Sequence, residues 1–214
     1  MTKRAVLLGV DGLSYSSFMK CSPRFIMALF NSTFRGVVKN DRLKDSTIYS
    51  WLEILTMENQ EQRASLKEVP PLPLIQATGA EAVNIPITNP TYGVISLDFE
   101  KVDYFEEIQA VKDAVLKIIT SGKPVIASIT AIDRAVRDGR GDDVKCKVYA
   151  KADEAVKEII KAADDFILFS PYGETKGNSR EPYGVYIASV PRPHERETVS
   201  LVEIGRLFLD LIAH

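Results

Sequence analysis

Histidine and cysteine are scarce in this chain, which has two of each among its 214 residues. A metal centre built on three histidines, or a cysteine-rich zinc knuckle, therefore cannot be assembled from this chain alone. Cys21 and Cys146 are single and far apart in the sequence. We therefore predict no disulfide framework and a reducing compartment.

Long apolar runs and an excess of charge of one sign are also absent. The first apolar run, Ala5–Val10, has six residues, which is too short for a signal sequence or a membrane span and predicts a buried strand. The 27 basic and 29 acidic residues give a formal net charge of -2, which provides no general attraction to nucleic acid or to an anionic membrane. Because 45% of the residues are hydrophobic, a disordered chain is excluded. We expect a soluble, cytoplasmic protein.

The chain instead contains an alternation of apolar runs and amphipathic stretches. Runs without polar alternation are typical of strands buried on both faces. Strands that alternate with long helices predict an α/β fold, a doubly wound and mostly parallel central sheet with helices on both faces, in one domain over residues 1–214. The predicted strands lie at 5–10, 34–39, 74–77, 82–85, 124–132, 166–169 and 184–190, the main helices at 46–57, 104–120, 147–163 and 201–212, and polar loops at 133–143 and 170–182.

Two aspartates follow apolar strands of this predicted sheet. Ligands of open α/β sheets bind at the carboxyl ends of the strands. Asp11 and Asp133 either converge there on one cation or serve as cap and turn residues. Ser46 and Thr47 open a predicted helix, where either is an N-cap or part of an anion site at the helix N-terminus.

Five segments resemble, in the same order, the alkaline phosphatase superfamily, and in particular its type I phosphodiesterase / nucleotide pyrophosphatase branch. They are L-L-G-V-D-G-L at 7–13, T-I-Y-S-W at 47–51, V-N-I-P-I-T-N-P at 83–90, A-I-D-R at 131–134 and V-S-L-V-E-I at 199–204. The third segment is the most specific, since no general rule of α/β folds requires it.

The resemblance implies an alkaline phosphatase-like core and a phosphoester hydrolase in which two divalent metals activate a Thr or Ser nucleophile. On this basis Thr47 is the nucleophile, and Asp11 and Asp133 are metal ligands. The residues expected to contact phosphate are Ser50, Arg134 and Arg137.

The sequence departs from this branch where further metal ligands are expected. The branch carries a Ser-Asp-His-Gly turn, whereas residues 170–173 read S-P-Y-G, so that Pro171 and Tyr172 replace two ligands. Arg137 occupies the place of a histidine ligand, and His194 lacks the family context. These changes favour a site that has lost its metals. We expect Tyr172 to fill the volume of the second metal, and Arg137 to neutralise local carboxylates or hold a phosphate.

Three interpretations stay open. The favoured one is a reduced, non-catalytic or weakly active relative that binds a phosphate-containing small molecule or nucleotide, or a partner. The second is a working metal-dependent hydrolase with Thr47 as its nucleophile, and the third is an unrelated α/β binding domain. The cofactor is either one divalent cation (Mg²⁺, Mn²⁺ or Zn²⁺) or none. We expect no nucleic acid or membrane partner, and a homo-oligomer whose second chain supplies ligands is left open.

Overall fold

A mixed β-sheet organises the chain. The structure, a computed structural model, describes residues 3–42, 47–61, 66, 68–194 and 198–214. Within these residues seven strands form the central sheet, and two short strands form a separate hairpin. The strands are β1 (Ala5–Val10), β2 (Phe34–Lys39), β3 (Glu81–Val83), β4 (Val125–Ile129), β5 (Asp165–Phe169), β6 (Thr175–Lys176), β7 (Ser179–Arg180), β8 (Tyr183–Ala188) and β9 (Thr198–Val199).

The order of strands in the sheet is β3-β4-β1-β5-β8-β2-β9. The first four are mutually parallel, whereas β8 runs antiparallel to both of its neighbours. Strands β1 and β4 are buried along their whole length, as expected for strands covered on both faces. The predicted α/β fold with a mostly parallel sheet is thus confirmed.

Helices cover both faces of the sheet, and alternate residues of β1 enter two different cores. The helices are α1 (Phe18–Cys21), α2 (Arg24–Ser32), α3 (Thr47–Thr56), α4 (Pro73–Thr78), α5 (Tyr104–Thr120), α6 (Ala131–Arg137), α7 (Asp142–Ala162) and α8 (Leu201–Ala213), with one turn of 3-10 helix at Tyr15–Ser17. Val6 and Leu8 pack with apolar residues of α2, α5 and α7. Ala5 and Leu7 pack with apolar residues of α3, α4 and α8 on the other face.

Two predicted strands are wrong in whole or in part. Residues 74–77 belong to α4, because Pro73 opens a helix and Gly79 ends it in the left-handed conformation at φ +64°. The strand predicted at 124–132 ends at Ile129, and α6 begins two residues later. An unbroken apolar run does not by itself distinguish a buried strand from a buried helix. Asp133 consequently lies on a helix and not in a loop.

A disulfide bond joins Cys21 of α1 to Cys146 of α7, although the sequence analysis predicted none. The bond links two segments that are 125 residues apart, a proximity that depends on the tertiary fold and is invisible in the spacing. The prediction of a reducing, cytoplasmic setting rested in part on unpaired cysteines, and that premise is wrong. Among the described residues, no helix is both long and apolar enough to cross a membrane.

Candidate functional site

Asp11 directly follows β1, and its side chain is completely buried. Its backbone N–H donates to the Ile129 carbonyl at 2.9 Å, which ties the ends of β1 and β4 together. The indole Nε1 of Trp51 donates to both carboxylate oxygens at 3.2 Å. Trp51 packs this closely because Gly9 has no Cβ, which would lie 2.7 Å from the Trp51 Cη2.

The surroundings of Asp11 disfavour its charged form. Burial raises the pKa of Asp11 well above its usual value, and the nearby Asp133 carboxylate raises it further. The hydrogen bond from Trp51 acts in the opposite direction but does not outweigh these effects.

Asp133 lies in the first turn of α6, against the turn that follows β1. Its N–H donates to the Asp11 carbonyl at 3.1 Å, and Gly12, at φ +80°, comes so near that a Cβ would lie 2.9 Å from the Asp133 Cα. The Asp133 carboxylate pairs with Arg137 Nε at 3.1 Å and accepts a hydrogen bond from Thr175 Oγ1 at 3.2 Å. Both of its oxygens therefore already have partners within the chain.

Thr47 is the first residue of α3, and its hydroxyl group contacts two side chains from the segment that follows β5. It shares a hydrogen bond with the Tyr172 hydroxyl and accepts one from Arg180 Nη2 at 3.2 Å. The Tyr172 hydroxyl also donates to Asp133 Oδ2 at 3.4 Å, and the Arg180 guanidinium lies over the Tyr172 ring, 4.0 Å from its centroid. Burial raises the pKa of Tyr172 well above its usual value, and the charge of Asp133 adds to the effect, so the phenol keeps its proton.

Two residues predicted to contact phosphate are engaged elsewhere. Ser50 is buried, and its hydroxyl group accepts a hydrogen bond from Asn40 Nδ2 at 3.1 Å. Arg134 is also buried. Its guanidinium group donates to the backbone carbonyls of Phe99 and Val102 and to the Glu107 carboxylate at 3.1 Å. These contacts fix the segment before α5 and do not reach Thr47 or Asp133.

A cavity of about 230 Å³ opens where these elements meet. Four of the six predicted site residues line it, namely Asp11, Thr47, Asp133 and Arg137. The sequence analysis missed Arg180, which lines the cavity from the short hairpin. The remaining lining residues are Ile48, Pro86, Thr88, Asn89, Phe99 and Thr130.

The donor set of this cavity does not fit a two-metal phosphoesterase centre. Such a centre needs roughly six protein ligands. Within the described ranges, the acidic groups that line the cavity are Asp11 and Asp133, and the second is already paired with Arg137. Across the part of the chain that the structure describes, no group of three or more His, Cys, Asp or Glu side chains could hold a metal ion.

The hairpin of β6 and β7 that carries Arg180 is fixed by a polar network on its other side. Glu181 accepts hydrogen bonds from Ser14 at 2.5 Å and from the backbone N–H of Glu174 at 3.1 Å, and it pairs with Lys176 at 2.7 Å. Burial opposes ionisation of Glu181, but the hydrogen bonds from Lys176 and Ser14 prevail and lower its pKa. Glu174 is paired in turn with the buried Lys145 at 3.1 Å.

Comparison with known proteins places this arrangement in a structural context. No protein-family model matches the chain, and no curated protein matches it. Solved structures do match. The PH0037 protein from Pyrococcus horikoshii is 11% identical and superposes with a TM-score of 0.70, covering 100% of this chain and 97% of that one.

Two further matching structures are an alkaline phosphatase and a protein of the alkaline phosphatase superfamily. A variant of the alkaline phosphatase of the Antarctic bacterium TAB5, with Mg bound in one of its sites, is 10% identical, with a TM-score of 0.66 over 99% of this chain and 98% of that chain. A Vibrio parahaemolyticus protein of the alkaline phosphatase superfamily is 11% identical, with a TM-score of 0.62 over 99% of this chain and 66% of that chain. At these identities the likeness shows the fold, which is that of the alkaline phosphatase superfamily.

Proposed function

We propose that this chain binds the phosphate group of a small molecule in the cavity lined by Thr47 and Asp133, as a non-catalytic or weakly active relative of type I phosphodiesterases. The observation that carries the proposal is that a guanidinium group contacts each of two predicted site residues, the nucleophile Thr47 and the metal ligand Asp133. Arg137 lies 3.1 Å from Asp133, and Arg180 lies 3.2 Å from Thr47. Arginine is the side chain best suited to hold a phosphate through two parallel hydrogen bonds.

The wall of the cavity supports the assignment to this branch. The segment at 83–90, whose sequence resembles the branch most specifically, contributes Pro86, Thr88 and Asn89 to the lining. Asn84 anchors the segment, since its buried side chain donates to the Ser128 carbonyl at 3.0 Å. The segment therefore shares the wall of the cavity with Thr47.

The charges that line the cavity favour an anion. Arg137 and Arg180 contribute two positive charges, and Asp133 contributes one negative charge. Burial raises the pKa of Asp11 well above its usual value, which reduces the negative charge that this second carboxyl group adds. The cavity also begins at the first residue of α3, where helix geometry favours negative groups. A phosphate would therefore meet a cationic surface with a helix N-terminus behind it.

The volume of the cavity limits the ligand. Its volume of about 230 Å³ is smaller than the roughly 300 to 1,000 Å³ of pockets that enclose drug-sized ligands. We therefore expect the phosphate group and its nearest atoms to be enclosed, with the rest of a larger ligand, such as the nucleoside of a nucleotide, outside.

The surroundings of Thr47 argue against efficient turnover. A threonine hydroxyl is a weak nucleophile unless a base or a metal activates it. Among the residues that the structure describes, its side-chain partners are a phenol that keeps its proton and a guanidinium group. Neither can accept the hydroxyl proton near neutral pH, so we expect binding with little or no hydrolysis.

Calorimetric titration with inorganic phosphate, phenyl phosphate and AMP, once in EDTA and once in excess Mg²⁺, tests the proposal. We expect saturable binding that weakens about tenfold or more in Arg137→Gln, since one charge-assisted hydrogen bond contributes about 1.5–3 kcal/mol. Arg4→Gln is the matched control, because Arg4 pairs with Asp164 at the opposite end of β1. If none of the three ligands gives heat or raises the melting temperature, the proposal is wrong.

A working hydrolase is the second candidate, and one observation favours it. Thr47, Asp11 and Asp133 line the same cavity, as a nucleophile and two metal ligands would. One weakly held divalent cation between the two carboxylates would supply the activation that Thr47 lacks. This candidate requires release of nitrophenol from bis-p-nitrophenyl phosphate with Mg²⁺, Mn²⁺ or Zn²⁺, and its loss in Thr47→Ala.

A further inference from the structure

Tyr172 and Arg180 form a stacked pair between the candidate nucleophile and the candidate metal ligand. The Tyr172 hydroxyl contacts the Thr47 hydroxyl on one side and Asp133 Oδ2, at 3.4 Å, on the other. The Arg180 guanidinium covers the Tyr172 ring at 4.0 Å and donates to Thr47 at 3.2 Å. The phenol therefore bridges Thr47 and Asp133, and the guanidinium group holds the Thr47 hydroxyl from its position over the phenol ring.

The position of Tyr172 is fixed by the turn that contains it. The N–H of Ser170 donates to the Val185 carbonyl at 2.8 Å, and the Pro171 carbonyl accepts from Asn40 Nδ2 at 2.8 Å. The side chain of Tyr172 is 1% exposed. The N–H of Gly173 also donates to the Glu181 carbonyl at 3.2 Å, so the backbone is held on both sides of Tyr172 and the enclosed phenol cannot leave the site without rearrangement of the core.

The position of Arg180 is fixed by the hairpin. Arg180 pairs with Thr175 across β6 and β7, and Thr175 also donates to Asp133 at 3.2 Å. Glu181, the next residue, is held by Ser14 and Lys176. The hairpin thus presents a cation to the cavity and a hydroxyl donor to Asp133 from adjacent strands.

We infer that Arg180, stacked on Tyr172, takes the place of a metal ion, so that Arg180 and Arg137 together form a metal-independent binding site for a tetrahedral oxyanion. The inference rests on the proposed function, because it assumes that the ligand of this cavity carries a phosphate. A fixed guanidinium group supplies the positive charge and the directed donors that a divalent metal would supply. The phenol occupies the space next to Asp133 and gives that carboxylate a hydrogen-bond donor where a cation would bind.

The test compares binding of inorganic phosphate and of phenyl phosphate in EDTA and in excess Mg²⁺, for the parent chain and for Arg180→Gln. We expect affinities in the two conditions to agree within about twofold and Arg180→Gln to weaken binding about tenfold or more. Arg180→Lys, which keeps the charge and loses the planar fork, should fall between the two. Arg4→Gln, at the opposite end of β1, should bind like the parent chain.

The outcomes separate this inference from the proposed function. Phosphate binding that is seen in excess Mg²⁺ but not in EDTA overturns the metal-independent site and leaves the proposed function in place. Phosphate binding that is unchanged in Arg180→Gln has the same consequence. Absence of binding in both conditions overturns both. A titration of the parent chain with Mn²⁺ and no phosphate gives a second readout that needs no variant to fold. Stoichiometric binding of Mn²⁺ to the parent chain in the micromolar range would also overturn the inference.

Discussion

The disulfide between Cys21 and Cys146 should be a large single contributor to the stability of the fold. It closes a loop across 125 positions of sequence. In the chain-entropy model, a cross-link over a loop of this length removes denatured-state freedom equivalent to about 5 kcal/mol at 25 °C, and removal of native disulfides typically costs about 2–5 kcal/mol. For a chain of 214 residues, 5 kcal/mol corresponds to a melting temperature lower by about 10 to 20 °C.

The assay is unfolding in urea, with and without a reductant, in which tryptophan fluorescence monitors the transition. The chain has one tryptophan, and Trp51 is completely buried, so a single reporter follows the core. The reductant should lower the unfolding midpoint of the parent chain to that of the double variant Cys21→Ala/Cys146→Ala. The double variant itself should not respond to the reductant.

Two results would refute the reasoning about the disulfide. Alkylation under denaturing, non-reducing conditions should label neither cysteine, and labelling of both would show that the bond does not form. Equal midpoints for the oxidised and reduced parent chain would show that a bond does form and that closing the loop contributes nothing to stability. The alkylation experiment therefore precedes the unfolding experiment.

Three further changes test the interior of the site. Asp11→Asn should make the melting temperature less dependent on pH, because the raised pKa of Asp11 means that its ionisation with rising pH costs folding stability. Glu181→Gln should remove stability above pH 4.5 and leave little difference in strong acid, because the lowered pKa of Glu181 makes its charged form the stabilising one. Gly9→Ala should destabilise by about 1–3 kcal/mol in chemical unfolding, since its Cβ would overlap the Trp51 ring. An unchanged pH profile in either charge variant, or a neutral Gly9→Ala, would contradict these assignments.

The elements that could be predicted are those whose signals are local. Helix α5 has the predicted bounds, because Asp103 caps its N-terminus and apolar residues recur along one face. Strands β1 and β2 also have their predicted bounds. Helix α4 has only six residues, too few for a helical period to show, although Pro73 and Gly79 mark its two ends.

The parts of the site that depend on long-range folding could not be predicted. Asp11 follows from the rule that ligands bind at strand ends, and Thr47 from the resemblance to a family. Arg180 lies in a segment predicted as a polar loop, with no distinctive spacing. It contacts Thr47, 133 positions away, because the hairpin of β6 and β7 lies next to the first residue of α3 in the folded chain. Ser46, the alternative opening residue of the helix, lies outside the described residues.

The different orientations of Arg134 and Arg137 follow from the helix that was predicted as a loop. Neighbouring residues of a helix point about 100° apart, whereas residues four apart share a face. Asp133 faces the cavity, so Arg134 is directed toward Glu107 and Arg137 is directed back to Asp133. In the family pattern that the segment resembles, a histidine metal ligand occupies the place of Arg137, one turn after the aspartate. Arg137 thus supplies a counter-charge to Asp133 at the position where the resemblance implies a metal ligand.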